Sequence, residues 1–257
     1  MDKGRNWIID AVFANVKKDD VDLYVEEMLK DQYNEFKSKE EVDACLGESV
    51  DNFLEKLSYQ EMDVIRDYTG NSFRFVNAIM REAWDYRING ELTDDKKREY
   101  EELGRRLEQS LAKAGDLPVG FKVFRGVSLP FFYPYNITSL KDLVYLKNEY
   151  MCDFGFTSTS LLRDNSFFAK PPLWGMPNIE IECLVPESSD DGVYLRDSNL
   201  SVSSGQCEFL VTSTSLFKVL DVLVDEENNK ASLKVMLVPK KVWNLHDYEL
   251  LHGNLER

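Results

Sequence analysis

The feature that most limits the fold of this chain is a change of hydrophobic period at Gly115-Asp116-Leu117-Pro118. Before it, apolar residues recur at helical spacing. After it, they gather in short runs rich in Val, Ile, Leu and Phe that read as strands. A chain that spends its helices first and its strands later does not alternate them, so an α+β architecture is expected and a wound parallel sheet is not. On the helical side, residues 19–36 place Val21, Tyr24, Val25, Met28 and Leu29 at helical spacing behind an acidic start. Further helices are expected over 40–45, 51–57 and 58–66, the last opened by Ser58 with Glu61 at capping-box spacing. Gly70-Asn71 marks a turn, and the helix 72–86 is closed by Asn89-Gly90. Residues 93–114 form a charged amphipathic helix with a solvated outer face. Beyond the switch, strands are expected at 121–124, 152–156, 179–184, 192–195, 208–211, 217–224 and 231–239, interrupted by one helix at 139–150.

With 257 residues, 43% of them hydrophobic, the chain can bury a sizeable core. It contains no repeat, low-complexity linker or break in composition, so a single domain is the economical reading. A net charge of −15 argues against a nucleic-acid backbone as partner, since that needs a basic stripe. A small anion needs only one or two well-placed cations. The four cysteines, Cys45, Cys152, Cys183 and Cys207, form no C-x-x-C pair, and only His246 and His252 accompany them. Reduced thiols and no metal site are expected. No apolar run reaches the length of a membrane span, and the first twenty residues lack the apolar core of a secretory signal. The protein is therefore expected to work in a cytosol.

Three polar groups stand at strand ends in the second half. Arg125 and Gly126 close an apolar strand, and the guanidinium fork can donate two hydrogen bonds at once to a diphosphate. Ser158, Thr159 and Ser160 form a hydroxyl cluster that either builds a turn or fixes the rotamer of a neighbouring carboxylate. Gln206 and Glu208 flank Cys207 and project to one face of a strand, an amide beside a carboxylate.

Arg125 on one strand, Ser158-Thr159-Ser160 on a second and Gln206-Cys207-Glu208 on a third, in that order, resemble the R-S-E class of mono-ADP-ribosyltransferases. Tyr68, Phe73 and Asn77 are similar to that family's helix lining the NAD site, and 217–220 to its closing strand. The resemblance covers about residues 58–225. It implies a fold of two roughly perpendicular, mainly antiparallel sheets flanked by N-terminal helices, with 1–57 as a helical extension, 58–225 as catalytic core and 226–257 as a C-terminal strand and tail. It also implies NAD as co-substrate and no metal. Arg125 and Gly126 would meet the NAD phosphates, with Tyr68, Phe73, Asn77 and Thr159 in the same site. Ser158 would position Glu208, the carboxylate that accepts a hydrogen bond from the 2′-hydroxyl of the nicotinamide ribose. A fixed anion there stabilises the positive charge that develops as the glycosidic bond breaks, by roughly 3–4 kcal/mol.

Gln206 places the chain with members that modify asparagine or other neutral acceptors, because arginine-modifying members carry Glu at that position. An amide can donate and accept, whereas a guanidinium acceptor calls for a second carboxylate to draw off its proton. Two positions depart from the family pattern. Ser203 stands where Rho-modifying and actin-modifying members carry an aromatic, so their target recognition is not carried over. Phe167 and Lys170 have the spacing of an aromatic and an Arg that touch nicotinamide and phosphate, with Arg163 as an alternative cation. The expected activity is mono-ADP-ribosylation of a host protein side chain other than arginine. A bacterial effector or toxin delivered without a signal peptide into the host cytosol, or a phage-encoded cytoplasmic enzyme, would fit it. NAD glycohydrolase activity and a catalytically inactive binding module on the same fold are the alternatives.

Overall fold

A computed structural model describes residues 16–83, 85, 89–169, 178–196, 200–201 and 207–243, the side chain of Asn71 excepted. Helix α1, Lys18–Met28, buries Val21 and Val25 but ends well before residue 36. The chain leaves the helix because Asn34 bridges Phe121 in parallel, its N–H donating to the Gly120 carbonyl at 3.0 Å. Helix α2, Lys39–Lys56, replaces the two short helices expected there and is capped by Ser38. Gly47 does not break it; instead it makes room, since a Cβ there would lie 2.8 Å from the crossing Arg196 guanidinium. Helix α3, Tyr59–Asp67, carries the expected capping box of Ser58 and Glu61. A π turn, Tyr68–Ser72, leads into the short helix α4, Phe73–Met80. Helix α5, Asp94–Leu111, is capped by Thr93 and buries Leu103, Leu107 and Leu111.

The strands are β1 Phe121–Val127, β2 Tyr150–Asp153, β3 Thr157–Ser160, β4 Ile179–Val185, β5 Gly192–Leu195, β6 Glu208–Val211, β7 Ser215–Asp225 and β8 Lys230–Val238. The expected run 152–156 divides because the Asp153 carboxylate accepts the Gly155 N–H and turns the chain before β3. The expected helix 139–150 is a short 3₁₀ segment, Lys141–Leu146. Its buried residues Leu143 and Leu146 stand three apart, a spacing that a 3₁₀ turn eclipses onto one side.

Hydrogen bonding runs β2-β7-β8-β4-β1-β3-β6-β5, antiparallel at every step except β4–β8. Where two sheets were expected, the strands form one continuous eight-stranded series. Five strands, β2 to β1, and three strands, β3 to β5, meet through one aligned pair, Phe124 and Ser160. The main core lies between the five-strand part, α2 and the 3₁₀ segments, with Val42, Leu46, Phe121, Phe132, Leu143 and Val235 among its buried residues. A second cluster packs α3, α4 and α5 on the three-strand part through Ile65, Val76, Leu107, Val193 and Leu210. A third seats α1 against β2, β7 and β8.

Candidate active site

Strand β6 alternates as a two-sided strand must. Phe209 and Val211 enter the main core and Leu210 enters the helical cluster. Glu208 shares the face of Leu210 and so looks toward the helices, with only 6% of its surface exposed. In the antiparallel register β6 sets Glu208 opposite Ser160 and Leu210 opposite Ser158. Ser158 therefore approaches Glu208 on the diagonal, and its hydroxyl donates to Glu208 Oε1 at 2.5 Å. Ser201 donates to Oε2 at 3.2 Å. Ser160, although directly opposite, spends its hydroxyl on the Leu162 carbonyl at 2.7 Å.

Tyr68 and Asn77 are nine residues apart, which on a regular α-helix places them about 180° apart. The wider π turn between them takes up residues and brings them together. Asn77 Nδ2 donates to the Tyr68 hydroxyl at 2.9 Å and to the Phe156 carbonyl at 3.2 Å, and the Phe156 N–H donates back to Asn77 Oδ1 at 2.8 Å. Tyr68 also meets the Phe156 ring edge-on at 5.2 Å. These bonds lock α4 to the turn that starts β3.

One helical turn past Asn77, Arg81 forks onto the buried Asp153, with Nε to Oδ1 at 2.7 Å and Nη2 to Oδ2 at 2.8 Å. Burial alone would raise the Asp153 carboxyl, but Arg81 outweighs it, with help from Arg125 and Thr157, and holds it below the ordinary carboxylate value. Arg125 reaches the same carboxylate at only 3.7 Å and lies over the Phe131 ring at 5.3 Å. Its Nη1 is buried without a hydrogen-bond partner among the described residues. Burial, with Arg81 as a like-charged neighbour, draws Arg125 down to about 10. The result is an unpaired cationic donor in a partly dehydrated wall, suited to an anion with several acceptor oxygens.

Arg125, Gly126, Ser158, Glu208, Tyr68, Phe73, Asn77 and Phe167 line one cleft of about 430 Å³, within the size range of ligand pockets. Phe73 and Phe167 each keep 43% of their surface exposed at its edge. Gly126 is where the 166–168 segment crosses β1: a Cβ would lie 2.4 Å from the Phe168 backbone nitrogen. Thr159 is not among the residues lining this cleft, and its hydroxyl is bound to the Phe209 carbonyl at 2.7 Å. Gln206, Lys170 and Ser203 lie outside the described residues. Arg163 is not a free cation of the cleft, because both arms of its fork engage Glu180. Sequence reading missed Arg74, Arg81, Asp153 and Ser201. Only Arg81 carried a readable signal, its i+4 spacing from Asn77. Among the described residues no group of His, Cys, Asp and Glu could hold a metal, and no helix is long and apolar enough to cross a membrane.

The ADP-ribosyltransferase exoenzyme family matches residues 47–240. Among solved structures, C3stau2 from S. aureus, determined with NAD, is 19% identical with a TM-score of 0.61, covering 82% of this chain and 100% of that one. The Clostridium limosum C3 exoenzyme is 20% identical with a TM-score of 0.60, covering 81% and 98%. Plx2a, an ADP-ribosyltransferase toxin from Paenibacillus larvae, is 16% identical with a TM-score of 0.62, covering 80% and 100%. No curated protein matches the chain by sequence. Identities this low speak for the fold, while the family match spans well over half of the sequence. The chain belongs to the ADP-ribosyltransferase exoenzyme family, NAD-dependent mono-ADP-ribosyltransferases that take NAD as co-substrate.

Proposed function

We propose that this enzyme transfers ADP-ribose from NAD to a side chain, other than arginine, of a protein in a host cell. The observation that carries the reading is the Ser158–Glu208 hydrogen bond of 2.5 Å, set in a cleft whose wall holds the unpaired donor of Arg125. NAD fits these groups. Its diphosphate supplies acceptors for the orphaned Nη1, and its ribose hydroxyls supply donors for a carboxylate. NAD contributes the labile glycosidic bond to nicotinamide, and breaking it places positive charge on the ribose. Glu208 is the anion that faces that charge. Ser158 holds its rotamer so that no reorganisation is needed as the charge develops. Arg125 holds the diphosphate, Phe73 and Phe167 flank the bound molecule, and Gln206 orients a neutral acceptor.

The test is incubation of host-cell lysate with the purified protein and NAD labelled in its adenylate half. Label is expected on protein, and Glu208→Gln is expected to lower both label transfer and NAD consumption by roughly 10²–10³ with NAD binding retained. Release of free ADP-ribose with no labelled protein would replace this reading by NAD hydrolysis. A fully active Glu208→Gln variant would remove the catalytic assignment.

A further inference from the structure

We propose that Thr157 and Asp153 are positioning residues that keep Arg125 Nη1 unpaired, and so available to the diphosphate of NAD. This rests on the reading of Arg125 as the diphosphate cation. An ionised carboxylate offers about four acceptor positions. On Asp153 four donors fill them. Oδ1 takes Arg81 Nε at 2.7 Å and the Gly155 N–H at 3.0 Å, and Oδ2 takes Arg81 Nη2 at 2.8 Å and the Thr157 hydroxyl at 2.6 Å. Arg125 Nη1 is left at 3.7 Å from Oδ2, beyond hydrogen-bond range. It is attracted by the charge and yet excluded from a bond. The Arg125 Cζ lies 5.3 Å from the centre of the Phe131 ring, and Nη1 has no partner among the described residues.

Thr157 is the group that decides this. It is buried in β3 opposite Val211, and its hydroxyl donates at 2.6 Å to Oδ2, the same oxygen that Arg125 Nη1 approaches. Without that hydroxyl, Nη1 needs to close by roughly 0.7 Å to reach an ordinary N–H···O distance. Arg125 would then satisfy itself on Asp153, and an incoming diphosphate would have to displace an internal ion pair. Saturating the carboxylate with a neutral hydroxyl avoids that competition. The same carboxylate still separates two like-charged guanidinium groups.

The experiment measures NAD affinity by calorimetry, and kcat and KM for NAD consumption, on the full chain. Thr157→Val keeps the shape of the side chain and removes the hydroxyl. It is expected to raise Kd and KM for NAD about tenfold, the cost of diverting one charge-assisted hydrogen bond, with kcat within about twofold. Thr157→Ser should restore both constants, which a packing role for the threonine methyl would not do. Thr157→Ala carries the same expectation should the valine variant fail to fold. Unchanged Kd in a folded Thr157→Val or Thr157→Ala variant overturns the proposal. A Thr157→Ser variant as impaired as valine overturns it too. Arg125→Ala separates the two levels of inference. If it leaves NAD binding intact, the reading of the whole site fails. If it weakens NAD binding while the Thr157 variants do not, only the role of Thr157 and Asp153 fails.

Discussion

Two hydroxyl groups meet the Glu208 carboxylate, Ser158 on one oxygen and Ser201 on the other, so its orientation is set at both oxygens. Gln206, two residues before it, is the residue we assign to the acceptor. Gln206→Glu is accordingly expected to leave NAD hydrolysis within about threefold of the parent while lowering transfer to the native acceptor by about tenfold or more, since an anion no longer donates to a neutral amide or hydroxyl. Parallel assays of nicotinamide release and protein labelling decide this, and equal loss of both would contradict the division of labour. Arg125, Ser158 and Glu208 were legible in the sequence because each stands at the end of an apolar run, where a polar residue has few structural reasons to be. Asp153 was not, because the donors that satisfy it come from Arg81, Gly155 and Thr157, and no local pattern ties an acid to a guanidinium seventy-two positions away. The pairing of Arg163, the alternative cation of that loop, was hidden for the same reason, its partner Glu180 lying seventeen positions on in β4.

At the scale of elements, the turn between β2 and β3 does as much as the strands themselves. Gly155 sits where a Cβ would lie 2.7 Å from Asn77 Oδ1 and 2.8 Å from Arg81 Nε. Both of those groups are tied down, Asn77 on Phe156 and Arg81 on Asp153. Gly155→Ala is therefore expected to cost about 1–3 kcal/mol, as overpacking does, measured by urea unfolding. It should also weaken NAD binding by moving Arg81. The extents of the elements were less readable than their kinds. Helix α2 continues through Gly47 because a partner fills the space a side chain would take, and the first helix stops early because Asn34 is recruited to β1. Both outcomes depend on tertiary contacts, which override local preference.

At the scale of the molecule, the C-terminal end of the sheet is fastened by charge. Asp191 Oδ2 accepts the Lys240 N–H at 2.7 Å, and Lys240 Nζ reaches Glu108 on α5 at 2.7 Å. Burial raises the Asp191 carboxyl to about 6. Its folded value lies above the ordinary 3.8, so it favours the fold while protonated and that contribution is lost as pH rises through about 6. Asp191→Asn, which stays neutral, should match the parent near pH 4 and exceed it above pH 6 by up to about 3 kcal/mol, read from urea unfolding at the two pH values. A parent as stable as the variant at both would refute it. The seam between β1 and β3 has a different consequence. Arg125 stands on one side of that single aligned pair, and Ser158 and Glu208 on the other. In the placement proposed above, a dinucleotide stretched from the guanidinium to the carboxylate would brace the sheet across this join. Amide exchange at Phe124 and Ser160 should slow when NAD binds, the substrate serving for a moment as a structural member of its own enzyme.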